Sequence, residues 1–149
     1  MMKSLHIIFA LLIINGTLSQ QLENSGFEQW ENVGTGEEEP LSWSSTKTSD
    51  NSSLNGLAPQ VISRSTDAHT GTYAAKMVNK NVPFVNIVAN GILTNGIVHT
   101  TTNPQDSYVY TDVNSSDHSQ PFTSFPDSIV GWYKYAPQGN DVGLSLIHI

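Results

Sequence analysis

Three adjacent carboxylates, Glu37-Glu38-Glu39, form the densest acidic run in the chain. Glycoside hydrolysis needs two carboxyl groups facing each other across the scissile bond, which neighbours in one loop cannot do. The run therefore reads as a solvated loop face. A carboxylate pair drawn from distant positions, such as Glu28 with Asp127, would have the right chemistry, and nothing in the spacing joins the two. Asp112-Val-Asn-Ser-Ser-Asp117-His118 places oxygen ligands close together, but lacks the central glycine and terminal bidentate glutamate of a calcium loop, and reads as an ordinary polar turn. His69, in Asp67-Ala-His-Thr-Gly-Thr-Tyr, is a lone turn histidine expected at the surface. Gly-x-Ser-x-Gly is absent, as are histidine pairs at helical spacing, and Gly34-Thr-Gly36 is too short to cradle a phosphate. The chain reads as a non-enzyme.

Aromatic side chains carry the other candidate chemistry. A pyranose ring has an apolar C–H face that fits an indole, and its hydroxyls need a few fixed polar partners. Trp43 and Trp132 are the candidate sugar-binding residues, with Lys134 on the same strand face as Trp132. A wholly buried face does not readily hold a lysine, so that face could reach solvent. The competing reading, favoured because tryptophan is usually buried in a small sandwich, makes Trp132 core and lets Lys134 extend to the rim.

The element expected to position these groups is Ser128–Ala136, bracketed by Pro126 and Pro137. Ile129, Gly131, Tyr133 and Tyr135 alternate there with Val130, Trp132, Lys134 and Ala136. Both faces carry aromatics, which predicts a central strand inside a two-layer sandwich, with Gly131 at a bulge or a close backbone approach. Further strands are expected at 26–31, 41–46, 60–65, 72–78, 84–89, 96–102 and 107–110, with an exposed loop between Glu31 and Leu41, a mobile one over Thr48–Ala58, and tight turns at Asn90-Gly91 and Asn95-Gly96. No stretch after Gln20 sustains apolar residues at helical spacing, so the fold class is all-β, a sandwich.

The first nineteen residues carry Lys3, an apolar run from Ile7 to Ile14, and small residues at Thr17 and Ser19. This is the pattern of a cleaved export signal, and the run is far short of the roughly 20 residues that span a membrane. Residues 20–143 are expected to form one domain; residues 144–149 read as a truncated or non-native end, with other domains of a longer protein to follow. There are no cysteines, which excludes disulfides and thiolate chemistry. A net charge of −7 without a basic stripe argues against nucleic acid as a partner.

Four features in order carry a resemblance: NSGFEQWE at Asn24–Glu31, Pro40 followed by Trp43, the run from Val61 to Met77, and FPDSIVGWYKYAP at Phe125–Pro137. Together they resemble the carbohydrate-metabolism domain family (PCMD) of secreted and surface proteins of Bacteroidetes-type bacteria. More distantly, they are similar to jelly-roll carbohydrate-binding modules. The resemblance implies a jelly-roll β-sandwich, non-catalytic binding of a polysaccharide or cell-surface glycan, and a structural calcium held in part by Glu28. A structural or adhesive surface module, in which every aromatic is core, is the alternative.

Overall fold

The computed structural model describes residues 20–140 and 142–145. The expected export signal lies outside the described residues, as do Asp141 and residues 146–149. Strand outweighs helix, and every sheet is a small antiparallel pair. In chain order, β1 (Trp30–Glu31) pairs with β2 (Glu39–Pro40), β3 (Ile62–Ser65) with β4 (Ala74–Met77), β5 (Lys80–Asn81) with β6 (Val88–Ala89), and β7 (Ile97–His99) with β8 (Tyr108–Tyr110).

The longest ladder, β3–β4, runs in register from Ile62 opposite Met77 to Ser65 opposite Ala74. Val78 N–H extends it by donating to Val61 O at 2.9 Å. The β7–β8 ladder is closed by a turn that begins with Asn103, whose side chain accepts from Gln105 N–H, and Pro104, whose fixed φ suits a first helical position. Gly96 enters β7 so close to Tyr110 that a Cβ would collide with the Tyr110 carbonyl oxygen.

Segment 44–50 is tied to β7. Ser44 N–H donates to Thr94 O at 2.7 Å and its hydroxyl to Gly96 O at 2.6 Å, while Asp50 N–H donates to Val98 O at 3.0 Å. Among the described residues the buried hydrophobic side chains are Val61, Ile62 and Val98, and Ser44, Ser45, Pro40 and Glu39 are enclosed with them. The core therefore sits where β2, β3, β7 and segment 44–50 meet.

The structure differs from the sequence expectations at several places, and the strand expected at 41–46 reduces to an isolated bridge between Ser44 and Thr94. Ser128–Ala136 is not a strand: no strand follows Tyr110 among the described residues, Trp132 is 75% exposed, Tyr133 is 89% exposed, and Gly131 faces open space. Its alternation is real, but it pairs with none of the described strands. Trp132 is thus not core. The loop over Thr48–Ala58 contains a helical turn at Ser52–Asn55 and is anchored by Asn51 Nδ2 to Thr100 O and by Lys47 Nζ to Asn55 O. The acidic run is not uniformly solvated either, since Glu38 receives Gly34 N–H at 2.9 Å and lies 3.5 Å from Arg64 Nε, and Glu39 is 1% exposed. No helix among the described residues is long and apolar enough to cross a membrane.

Candidate functional site

Asn24 fixes the start of the domain. Its side chain donates to the carbonyls of Gln29 and Leu41 and accepts from Gln29 N–H, bridging the chain before β1 to the chain after β2. The tight loop it begins forces Phe27 to φ 55°, a region a bulky side chain enters only at a cost of roughly 1–3 kcal/mol. So placed, Phe27 meets Trp43 edge to face, with ring centroids 5.1 Å apart. Trp43 Nε1–H donates to Glu23 O at 3.1 Å, which sets the indole plane.

Trp43 forms one wall of a cleft of about 340 Å³. Glu23, Glu31, Glu39, Asp117 and His118 line it, with Leu41, Ser42 and Thr48. The β1–β2 register puts Glu31 directly opposite Glu39, a like-charge cross-strand pair that is unfavourable in itself. Ser45 hydroxyl donates to Glu39 Oε1, while Glu39 Oε2 is enclosed with no hydrogen-bond partner among the described residues. Burial above all pushes the Glu39 carboxyl above its usual range; the Glu31 charge adds to this, and hydrogen bonds from Ser45 and Thr48 oppose it.

The sign of the resulting pH dependence follows directly. In the unfolded chain Glu39 ionises near its ordinary value of 4.5, whereas the folded chain holds the proton to higher pH. Its contribution to stability is complete below that ordinary value and is lost as pH rises through the folded one. Glu39→Gln keeps an acceptor for Ser45 and removes the ionisation. The variant is expected to melt above wild type at neutral pH, by about 1.4 kcal/mol for each unit of elevation, with the gap closing in acid. A difference between the two that does not change with pH would contradict this assignment.

Sequence reasoning named Trp43 and missed the acids around it. Asp112 does form an ordinary turn, accepting Asn114 N–H at 3.0 Å, yet that turn delivers Asp117 and His118 to the cleft. His118 Nδ1 is enclosed without a partner among the described residues.

Trp132 and Lys134 do not line this cleft. Trp132 stacks on His69, centroids 3.9 Å apart and planes 10° off parallel, and Lys134 pairs with Asp67. Both therefore dock the 121–140 segment onto the turn between β3 and β4. His69 is exposed, as expected for a turn histidine. A further imidazole that the sequence reading did not single out, His99, pairs with Asp50 at 2.8 Å and stacks on Tyr108; Tyr110 OH also donates to Asp50.

Glu28 holds a turn of the fold. Its Oε1 accepts Thr72 N–H at 2.9 Å and Tyr73 N–H at 3.1 Å, closing the β3–β4 turn. Gly71, at φ 73°, has no room for a Cβ because this same carboxylate occupies the place. Calcium takes about 6–8 oxygens, and no group of three or more acidic or imidazole side chains suited to a metal forms among the described residues. A calcium held by Glu28 would have to use its second oxygen together with backbone carbonyls, because Oε1 is committed to the turn. Glu28→Ala is expected to cost roughly 1–2 kcal/mol through two lost charge-assisted hydrogen bonds, equally with and without chelator. A chelator-induced drop in wild-type Tm that the variant lacks would restore the ion.

No protein-family model, curated protein or solved structure matches the chain.

Proposed function

We propose that the protein is a non-catalytic carbohydrate-binding module of a secreted or cell-surface bacterial protein, built on a jelly-roll-type sandwich, and that it holds its glycan in the Trp43 cleft. The observation that carries this reading is the combination in one cavity of an indole wall and several carboxylates. An indole suits the C–H face of a pyranose, and carboxylates accept strong hydrogen bonds from its hydroxyls. Among the described residues no Lys or Arg lines the cleft, which disfavours phosphate-bearing ligands. Glu39, sealed by Ser45 on one oxygen and enclosed at the other, is poorly placed to protonate a glycosidic oxygen, which favours binding over hydrolysis.

The second reading, a structural or adhesive module, loses its premise that every aromatic is core, since Phe125, Trp132 and Tyr133 are exposed; what favours it instead is that these side chains and Val130 offer apolar surface to a neighbouring domain. Retention on a polysaccharide array separates the two. The first reading expects the folded wild type and Trp132→Ala to be retained and Trp43→Ala to be lost. Absence of retention on every glycan would leave the adhesive module as the better account.

A further inference from the structure

The tripeptide Asn-x-Ser/Thr, the acceptor pattern of N-linked glycosylation, occurs among the described residues at Asn51-Ser52-Ser53 and at Asn114-Ser115-Ser116. A chain rich in asparagine, serine and threonine produces such tripeptides by composition alone. The motif therefore decides nothing until the structure shows which carboxamide an enzyme can reach. Oligosaccharyl transfer joins the asparagine Nδ2 to the anomeric carbon of a sugar, so that nitrogen must be free of the fold's own hydrogen bonds. Asn51 fails this condition. Its Nδ2 donates to Thr100 O at 3.1 Å, its N–H donates to Ser49 Oγ at 3.3 Å, and its carbonyl accepts Leu54 N–H at 2.9 Å. A sugar on Asn51 would undo the join between the 44–55 segment and the chain after β7.

Asn114 meets the condition. It is exposed on a turn beyond the end of β8, and its carboxamide has no hydrogen-bond partner among the described residues. Its backbone N–H alone is held, by Asp112 Oδ1 at 3.0 Å, in a local side-chain turn that lifts the segment away from the β7–β8 ladder. Val113 beside it is 79% exposed. The Ser116 hydroxyl, which the transferase reads two residues after the acceptor, is bonded to the exposed carboxylate of its neighbour Asp117 at 3.1 Å, an arrangement that water readily replaces. Bacterial transferases of this class also read a carboxylate two residues before the acceptor. Asp112 stands there for Asn114, and Ser49 for Asn51.

Resting on the reading that the chain is exported, we propose that Asn114 is a modification site that carries an N-linked oligosaccharide. In the transfer a bond forms between Nδ2 and the anomeric carbon of a lipid-diphosphate oligosaccharide. The bond from that carbon to the phosphate oxygen breaks, the lipid diphosphate leaves with the electron pair, and one amide proton passes to base; nothing is oxidised or reduced. The product sets a large polar group beside Val113 and displaces no hydrogen bond of the Asn114 side chain.

The test expresses the full chain in a bacterium that carries a bacterial oligosaccharyltransferase and its lipid-diphosphate oligosaccharide. Intact mass and N-terminal sequencing of the product are the readouts. The expected result is a chain lacking residues 1–19 and heavier by one oligosaccharide. Asn114→Gln and Ser116→Ala each abolish the added mass with Tm unchanged, and Asn51→Gln retains it. A processed chain without the added mass would overturn the acceptor assignment and leave export standing. Added mass that survives Asn114→Gln and is lost in Asn51→Gln would overturn it as well, because the accessible carboxamide would then be the wrong one. A product that keeps residues 1–19 and carries no sugar would overturn both the export reading and the inference that rests on it.

Discussion

Ile62→Ala is expected to destabilise the protein by about 2–5 kcal/mol, the largest stability effect of any single side-chain truncation considered. Ile62 is 1% exposed, next to fully enclosed Val61, and the buried apolar set among the described residues has only Val98 besides. Its strand partner Met77 is 53% exposed and so contributes little to this buried cluster. With a total stability of about 5–15 kcal/mol for an ordinary domain, such a loss removes a large share of the margin. Chemical denaturation measures it; a shift below about 0.5 kcal/mol, the usual range for surface substitutions, would mean that the core is elsewhere.

The second large effect concerns binding. Trp43→Ala removes the indole wall of the cleft and is expected to weaken glycan affinity by tenfold to hundredfold, about 1.4 to 2.8 kcal/mol. It also removes the edge-to-face contact with Phe27 and the hydrogen bond to Glu23 O, so some destabilisation accompanies it. Trp43→Phe separates the two contributions, keeping a ring against Phe27 and losing the N–H donor and part of the stacking surface. Trp132→Ala is the control, since its ring lies on His69 outside the cleft and is 75% exposed. Loss of binding by Trp132→Ala with Trp43→Phe unaffected would move the site to the β3–β4 turn.

The local ladders were legible in the sequence. Strands β3, β4, β7 and β8 fall inside the expected stretches because β-branched and aromatic residues there are bounded by turn formers such as Gly71 and Asn103-Pro104. The central strand was not, for alternation states which side chains a strand would bury and says nothing of whether a neighbouring strand pairs with it. Ile129 to Tyr135 keep that pattern while lying exposed. β5, at Lys80–Asn81, has no apolar signal at all.

The site divides in the same way. Trp43 was recognisable by residue type. Glu39 looked like one of three solvated acids, though a local clue existed: it precedes Pro40, which biases it to an extended backbone, where neighbouring acids point to opposite faces. Its pairing with Glu31, its bond from Ser45, and the arrival of Asp117 and His118 depend on contacts between distant parts of the chain, which no window of sequence contains.

The most direct measurement is a heteronuclear NMR titration that follows the indole N–H signals of Trp30, Trp43 and Trp132 as an oligosaccharide is added, each signal assigned by its own Phe variant. The account predicts a saturable shift of the Trp43 signal, with Trp132 unmoved. Saturable binding that shifts Trp132 and leaves Trp43 in place would contradict it.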